Sequence, residues 1–183
     1  MGEDGAVRAA LVLVSGAPGV GKTTLARMLA RDLCMALLSK DTVKETLGDS
    51  LGVESVDLSQ RLGRASVAVL YALAKEQLGL GVPVVVESAF HQSLGGEVEP
   101  LVALGPAVLI HCQAPEDVTT ARSVARAGER HGVHFDAERS PFEARLYGVM
   151  ELDVPVLFVD THDGYEPDYP TILDFVERAG RRS

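Results

Sequence analysis

"SGAPGVGKTT", Ser15 to Thr24, follows the apolar run Leu11-Val12-Leu13-Val14 and precedes Leu25-Ala26-Arg27-Met28-Leu29-Ala30. The first run has the length and β-branched content of a buried strand, and the second has helical period. Three glycines and a lysine therefore occupy the point where a strand turns directly into a helix. Gly16-Ala17-Pro18-Gly19-Val20-Gly21-Lys22-Thr23 matches G-x-x-x-x-G-K-[ST] in this strand-to-helix setting. Glycines there reach backbone angles closed to other residues and leave no side chain between the loop amides and an anion. The N–H groups between Gly16 and Thr24, Pro18 having none, can then converge on phosphate oxygens, helped by the positive end of the helix dipole. Lys22 can reach the β- and γ-phosphates of a nucleotide, and the Thr23 hydroxyl can ligate Mg²⁺. The plainer alternative is a glycine-rich turn that holds nothing.

Outward from this loop, short apolar runs at residues 10–14, 35–39, 82–87, 107–112 and 156–160 read as strands. They alternate with stretches of helical period, the pattern of a parallel sheet with helices on its faces. The longest helix candidate covers residues 57–78, where Leu58, Leu62, Ala65, Val69 and Leu73 recur at three- and four-residue steps and Gly79 with Gly81 marks the end. Ser140-Pro141-Phe142-Glu143 has the spacing of a capping box with proline at the first helical position. It predicts a helix to about Met150 with Phe142, Leu146 and Met150 on the buried side. No internal repeat, low-complexity tract or long linker divides the chain, so residues 1–183 are expected to form one domain.

Apolar residues make up 46% of the chain and charged residues 23%, an ordinary globular balance. Lysine and arginine number 17 against 26 aspartates and glutamates, and the resulting charge of -9 disfavours extended nucleic acid as a partner. Cys34 and Cys112 stand far apart in apolar runs, which suits core packing in a reducing compartment better than a disulfide. No apolar stretch approaches the roughly 20 residues that span a bilayer, and the Met-Gly-Glu-Asp start lacks the positive region of a secretory signal. A cytoplasmic location without membrane contact is the expectation.

Three further segments complete a resemblance: Leu38-Ser39-Lys40-Asp41-Thr42-Val43-Lys44, Val84-Val85-Val86-Glu87-Ser88-Ala89-Phe90, and Ala121-Arg122 through Arg130-His131-Gly132-Val133-His134. With the glycine loop, and in this order, they resemble the P-loop kinase-like ATP-binding proteins that include chloramphenicol phosphotransferase, polynucleotide 5'-kinase, gluconate kinase and zeta toxins. In that group the first segment follows the second strand and holds an aspartate beside the acceptor hydroxyl. The second is the third strand, and the last is an arginine-bearing lid, here about residues 114–139. The resemblance implies an α/β fold with a doubly wound five-stranded parallel sheet of order 2-3-1-4-5, and ATP and Mg²⁺ as cofactors.

Asp41 stands just past the second strand, where ligands of open α/β sheets bind, and a carboxylate there could take the proton of an attacking hydroxyl. It could equally cap the following helix. Lys44 is a candidate for substrate binding, but it stands where polynucleotide 5'-kinases have an arginine, and an ammonium cannot make the two-pronged phosphate contact. Glu87 closes the third strand at the position of an acidic Mg²⁺ holder, although aspartate is the residue expected there. Acceptor binding or a satisfied strand-end acid are its other readings. Ser88 and His91 could line the acceptor pocket, and His91 could as well be a surface histidine.

Arg122, Arg126 and Arg130 recur every four residues on a helix that Pro115 begins. Facing a triphosphate, such a row would stabilise charge on the γ-phosphoryl group, with Arg126 the first choice for catalysis, Arg122 for nucleotide contact and Arg130 for substrate. A solvated basic face balanced by Glu116, Asp117 and Glu129 is the alternative. His131 and His134 lack the further ligands of a zinc site. The stretch Asp160-Thr161-His162-Asp163-Gly164 is expected to carry the nucleotide base. With no asparagine in the chain, the N-K-x-D guanine-reading motif is absent and ATP is favoured. The expected function is transfer of the γ-phosphoryl group to a hydroxyl of a small antibiotic or metabolite. A polynucleotide or nucleotide end-kinase and a regulatory ATP-binding module are the rivals.

Overall fold

The run before the glycine loop is the middle strand of a five-stranded parallel sheet. In the computed structural model, which describes residues 9–126, 131–134 and 144–179, the strands are β1 (Leu11–Ser15), β2 (Ala36–Ser39), β3 (Val84–Glu87), β4 (Ala107–Gln113) and β5 (Val156–Asp160). They stand in the order β2-β3-β1-β4-β5, as the resemblance implies. The helices are α1 (Lys22–Asp32), α2 (Lys40–Leu51), α3 (Val56–Gly79), α4 (Gly95–Val102), α5 (Glu116–Arg126) and α6 (Tyr169–Arg178). Among the described residues no helix is long and apolar enough to cross a membrane.

Strand side chains alternate between faces, so each central strand must be apolar throughout. Val12, Val14, Val85, Val108 and Ile110 pack on one face under Leu25 and Leu29 of α1 and Ile172 and Val176 of α6. Leu11, Leu13, Val84, Val86 and Leu109 pack on the other under Leu70, Ala74 and Leu78 of α3 and Val98 and Leu101 of α4. The sheet register sets Val14 and Ser39 beside Glu87. The carboxyl ends of β1, β2 and β3 thus converge at one place.

Two expectations about helices need correction. The buried side of α3 carries Ser59, Leu62, Ser66, Leu70, Ala74 and Leu78. Of the expected stripe only Leu62 is buried, while Val69 and Leu73 are 40% and 38% exposed. Two serines broke the apolar pattern: Ser66 satisfies its hydroxyl on the Leu62 carbonyl one turn back, at 2.7 Å, and so can be buried. The helix expected up to Met150 is, in its described part, a single 3-10 turn at Ala144–Tyr147. Ser140 to Glu143 lie outside the described residues; Leu146 is exposed and Met150 is buried against the face that holds Leu13 and Leu109. Cys34 is likewise exposed, at φ 51 in the turn after α1, whereas Cys112 is core. Burial pushes the Cys112 thiol up to about 12, so it packs and does not react.

Lys44 anchors α2 on α3. Its side chain is 1% exposed and its Nζ donates to Ser59 Oγ at 2.8 Å, and the Ser59 hydroxyl donates to the Val133 carbonyl at 2.6 Å. Removing a hydroxyl that serves a buried ammonium and a buried carbonyl costs about 1–3 kcal/mol. Ser59→Ala is therefore expected to lower the unfolding free energy by about that amount in urea titration. A change below about 0.5 kcal/mol would show that the relay adds no stability.

Candidate active site

The converging strand ends open on a cleft of about 640 Å³. Its glycine loop leaves β1 at Gly16, where φ is +132° and a Cβ would stand 2.2 Å from the Cys112 carbonyl oxygen. Gly21, at φ +84°, is the N-cap of α1 and supplies no side-chain acceptor to the first turn. By contrast α3 and α6 are capped: Ser55 accepts from the Leu58 amide and Asp168 from the Thr171 amide. The amino ends of α1 and α2, neither with a side-chain cap, both border the cleft, and that of α1, entered from the glycine loop, has the arrangement that receives an anion.

Lys22, buried at the start of α1, donates from Nζ to the Ala17 carbonyl at 2.8 Å. Burial pushes its pKa down, and the carboxylates of Glu87 and Asp41 act in the opposite sense. The next residue, Thr23, donates from Oγ1 to Glu87 Oε1 at 3.3 Å, while Ser39 donates to Glu87 Oε2 at 2.7 Å. Glu87 is 3% exposed, so β3 ends on a buried carboxylate fixed from two sides. Two hydroxyls and a carboxylate are hard oxygen donors, a set that fits Mg²⁺.

Asp41 lines the same cleft from the first turn of α2. Ser39 occupies the N-cap position, so Asp41 is not the helix cap that was its alternative reading. Its side chain is 44% exposed, with Oδ1 3.2 Å from Lys40 Nζ. Lys44, Ser88 and His91, all expected at the acceptor pocket, are not among the cleft residues. Lys44 is turned into the α2–α3 contact. Ser88 is buried and follows Glu87 along the strand, so alternation sends it to the other face. His91 Nδ1 lies 2.6 Å from Ser93 Oγ, and its ring meets Tyr147 edge-on.

Arg122 does not line the cleft either. Its Nη2 donates to the carbonyls of Thr161 at 2.6 Å and His162 at 3.1 Å. Thr161 in turn donates to the Val20 carbonyl at 2.7 Å. The arginine thereby ties α5 to the loop after β5, and that loop to the glycine loop. Arg126 ends α5, but its side chain and all of Arg130 lie outside the described residues.

Sequence reasoning missed Arg27, Lys40, Thr42, Glu45 and Tyr147, which all line the cleft. Glu45 stands one turn after Asp41, so helical period could have found it; Tyr147 carries no motif at all. His131 and His134 also line the cleft. They face α2, with His131 Nε2 2.8 Å from Asp49 Oδ1 and His134 Nε2 2.9 Å from Glu45 Oε1. Among the described residues no group of three His, Cys, Asp or Glu side chains could hold a metal ion.

Residues 11–151 match a family model described as "AAA domain". A solved structure of a "putative kinase" from Chloroflexus aurantiacus is 34% identical, with a TM-score of 0.82 over 94% of this chain and 98% of that one. A sugar kinase from Janibacter sp. shares the fold at 16% identity, with a TM-score of 0.60 over 96% of this chain and 99% of that one. Adenylate kinase 8 of Mus musculus is 27% identical over 88% of this chain. An uncharacterized protein of Mycobacterium tuberculosis is 34% identical over 64%. The chain spans 37% of the length of the mouse protein and 26% of the mycobacterial one.

Proposed function

We propose that this chain, which belongs to the AAA domain family and is a P-loop kinase-like protein, transfers the γ-phosphoryl group of ATP to a hydroxyl of a small molecule. The observation that carries the reading is the shared cleft: the loop lysine, the Thr23–Glu87 pair and the half-exposed carboxylate of Asp41 open on one space. A module that only bound nucleotide would not need a carboxylate there. The 34% identity to the Chloroflexus aurantiacus "putative kinase" over nearly the whole chain supports the same class of activity.

The roles follow from the chemistry. The backbone N–H groups between Gly16 and Thr24, Pro18 having none, and the Lys22 ammonium hold the phosphates in line. Thr23 and Glu87 would hold Mg²⁺, which neutralises charge on the β- and γ-phosphates when bound. Asp41 accepts the proton of the attacking hydroxyl as its oxygen bonds to the γ-phosphorus; the bond to the β–γ bridging oxygen breaks and ADP leaves with the electron pair. Arg126 and Arg130 close the site against water, which would otherwise take the phosphoryl group. Arg122 holds the loop beneath the base. Residues 1–183 act in this reading as one domain, with the lid at about 114–139.

The test is a product screen. Purified protein with ATP and Mg²⁺ is offered hydroxylated antibiotics, nucleosides, sugars and a single-stranded oligonucleotide, and products are read by mass spectrometry. One small-molecule class is expected to gain a phosphoryl group. Phosphorylation of the oligonucleotide end alone, with binding that falls steeply with salt, would replace the reading with the end-kinase. ATP binding with no phosphorylated product would replace it with the regulatory module.

A further inference from the structure

We infer that the acceptor is a non-anionic polyol and that Glu45, held by His134, is the residue that selects it; the inference rests on the phosphotransferase reading and names the substrate class of the same cleft. Asp41 and Glu45 lie one turn apart on α2 and both line the cleft. Residues at that spacing share a helix face with Cβ atoms about 5–6 Å apart. Two hydroxyls on a single sugar-sized ring can bridge such a gap. An ionised carboxylate only accepts hydrogen bonds, so the pair calls for two O–H donors on the ligand. Thr42 and Tyr147 add neutral hydroxyls to the same cleft.

Glu45 is placed with more care than a surface acid. His134 is 2% exposed, and its Nε2 holds Glu45 Oε1 at 2.9 Å. The turn that carries it, Gly132–His134, is seated on α2 and α3. Val133 packs so closely on Gly48 that a Cβ there would stand 2.7 Å from its Cγ2, and its carbonyl accepts from Ser59 at 2.6 Å. The imidazole is therefore fixed, and it orients one carboxylate oxygen while the other is available to a ligand.

The cations point the same way. An acceptor bearing a carboxylate or phosphate needs a positive side chain to pair with. Of the described cations at this cleft, Lys22 and Arg27 stand on α1 beside the phosphate loop and Lys40 sits 3.2 Å from Asp41, while Lys44 of α2 is buried against Ser59. Bringing an anion between Asp41 and Glu45 would add like charges at close range, which an uncharged or amino-bearing polyol avoids.

The test measures kcat and KM for matched acceptors: D-glucose against D-glucuronate, D-sorbitol against D-gluconate, with kanamycin as the cationic polyol. The best acceptor is expected to be non-anionic, at least about tenfold above any anionic member in kcat/KM, the loss that follows when a charged group is left unpaired. Glu45→Ala should raise its KM about tenfold, the worth of one hydrogen bond to a charged group, with kcat for acceptor and KM for ATP changed less than about threefold. Glu45→Gln should recover part of the loss. Thermal melts of both variants separate binding from misfolding; if Glu45→Ala unfolds, the Glu45→Gln KM decides alone. Preference for the anionic members, or an acceptor KM that both variants leave in place, overturns the inference while the phosphotransferase reading stands. Transfer to none of the panel, with ATP bound, overturns that reading and the polyol assignment together.

Discussion

Asp41→Asn is expected to lower kcat for phosphoryl transfer by about 10²–10⁴-fold while ATP affinity stays within about twofold. Asparagine keeps the size and planarity of the side chain but cannot take a proton from the attacking hydroxyl. In the proposed mechanism nucleotide affinity rests elsewhere, on the loop amides, Lys22 and the Thr23–Glu87 pair. Asp41 is 44% exposed and its partner Lys40 also reaches solvent, while buried Lys22 keeps the larger attraction of Glu87, so the fold should survive. Turnover by a coupled ADP assay and nucleotide affinity by calorimetry separate the two effects. A variant with wild-type turnover would refute the assignment of the base.

Asp41 was legible because the sheet told where to look: a carboxylate directly after the second strand lies at the ligand side of an open α/β sheet. The strands were legible for a related reason. β1, β3 and β4 are buried on both faces, so their apolar runs are continuous and stand out from any helical pattern. β5 was read with the same ends that the structure gives, although Phe158 on it is half exposed. The glycine loop was legible because its chemistry needs fixed residue types at fixed spacing.

What escaped depends on contacts between distant segments. The buried side of α3 was misjudged because serine counts as polar in a periodicity argument, yet Ser59 and Ser66 are buried with their hydroxyls satisfied. Lys44 was taken for a ligand-facing cation because nothing local announces that its partner is Ser59, fifteen residues on. His131 and His134 were weighed only as metal ligands, and their carboxylate partners on α2, more than eighty residues away, went unseen. A single sequence carries the helical period that puts Asp41, Glu45 and Asp49 on one face. It does not say which loop will lie across that face.

Lys22→Met should be nearly as damaging as the loss of Asp41, and for a different reason. Methionine keeps the unbranched stem and the packing at the start of α1 but removes the charge. Transfer is expected to fall by about 10²–10³-fold, the size of effect seen when a positioned donor to the developing charge is lost. Unlike Asp41→Asn, the variant should also bind ATP at least about tenfold more weakly, because the ammonium pairs with phosphate in the ground state too. Stability should move little. In the free protein Lys22 is a buried cation whose charged form is disfavoured by burial and favoured by Glu87, and removing it cancels a desolvation cost along with an attraction. The unfolding free energy in urea is expected within about 1 kcal/mol of wild type. The lysine thus stands where burial opposes its charge and Glu87 only partly offsets that, and in the proposed function the phosphates of ATP would favour the charge further. A variant that kept its ATP affinity would mean that the loop does not hold the phosphates as described.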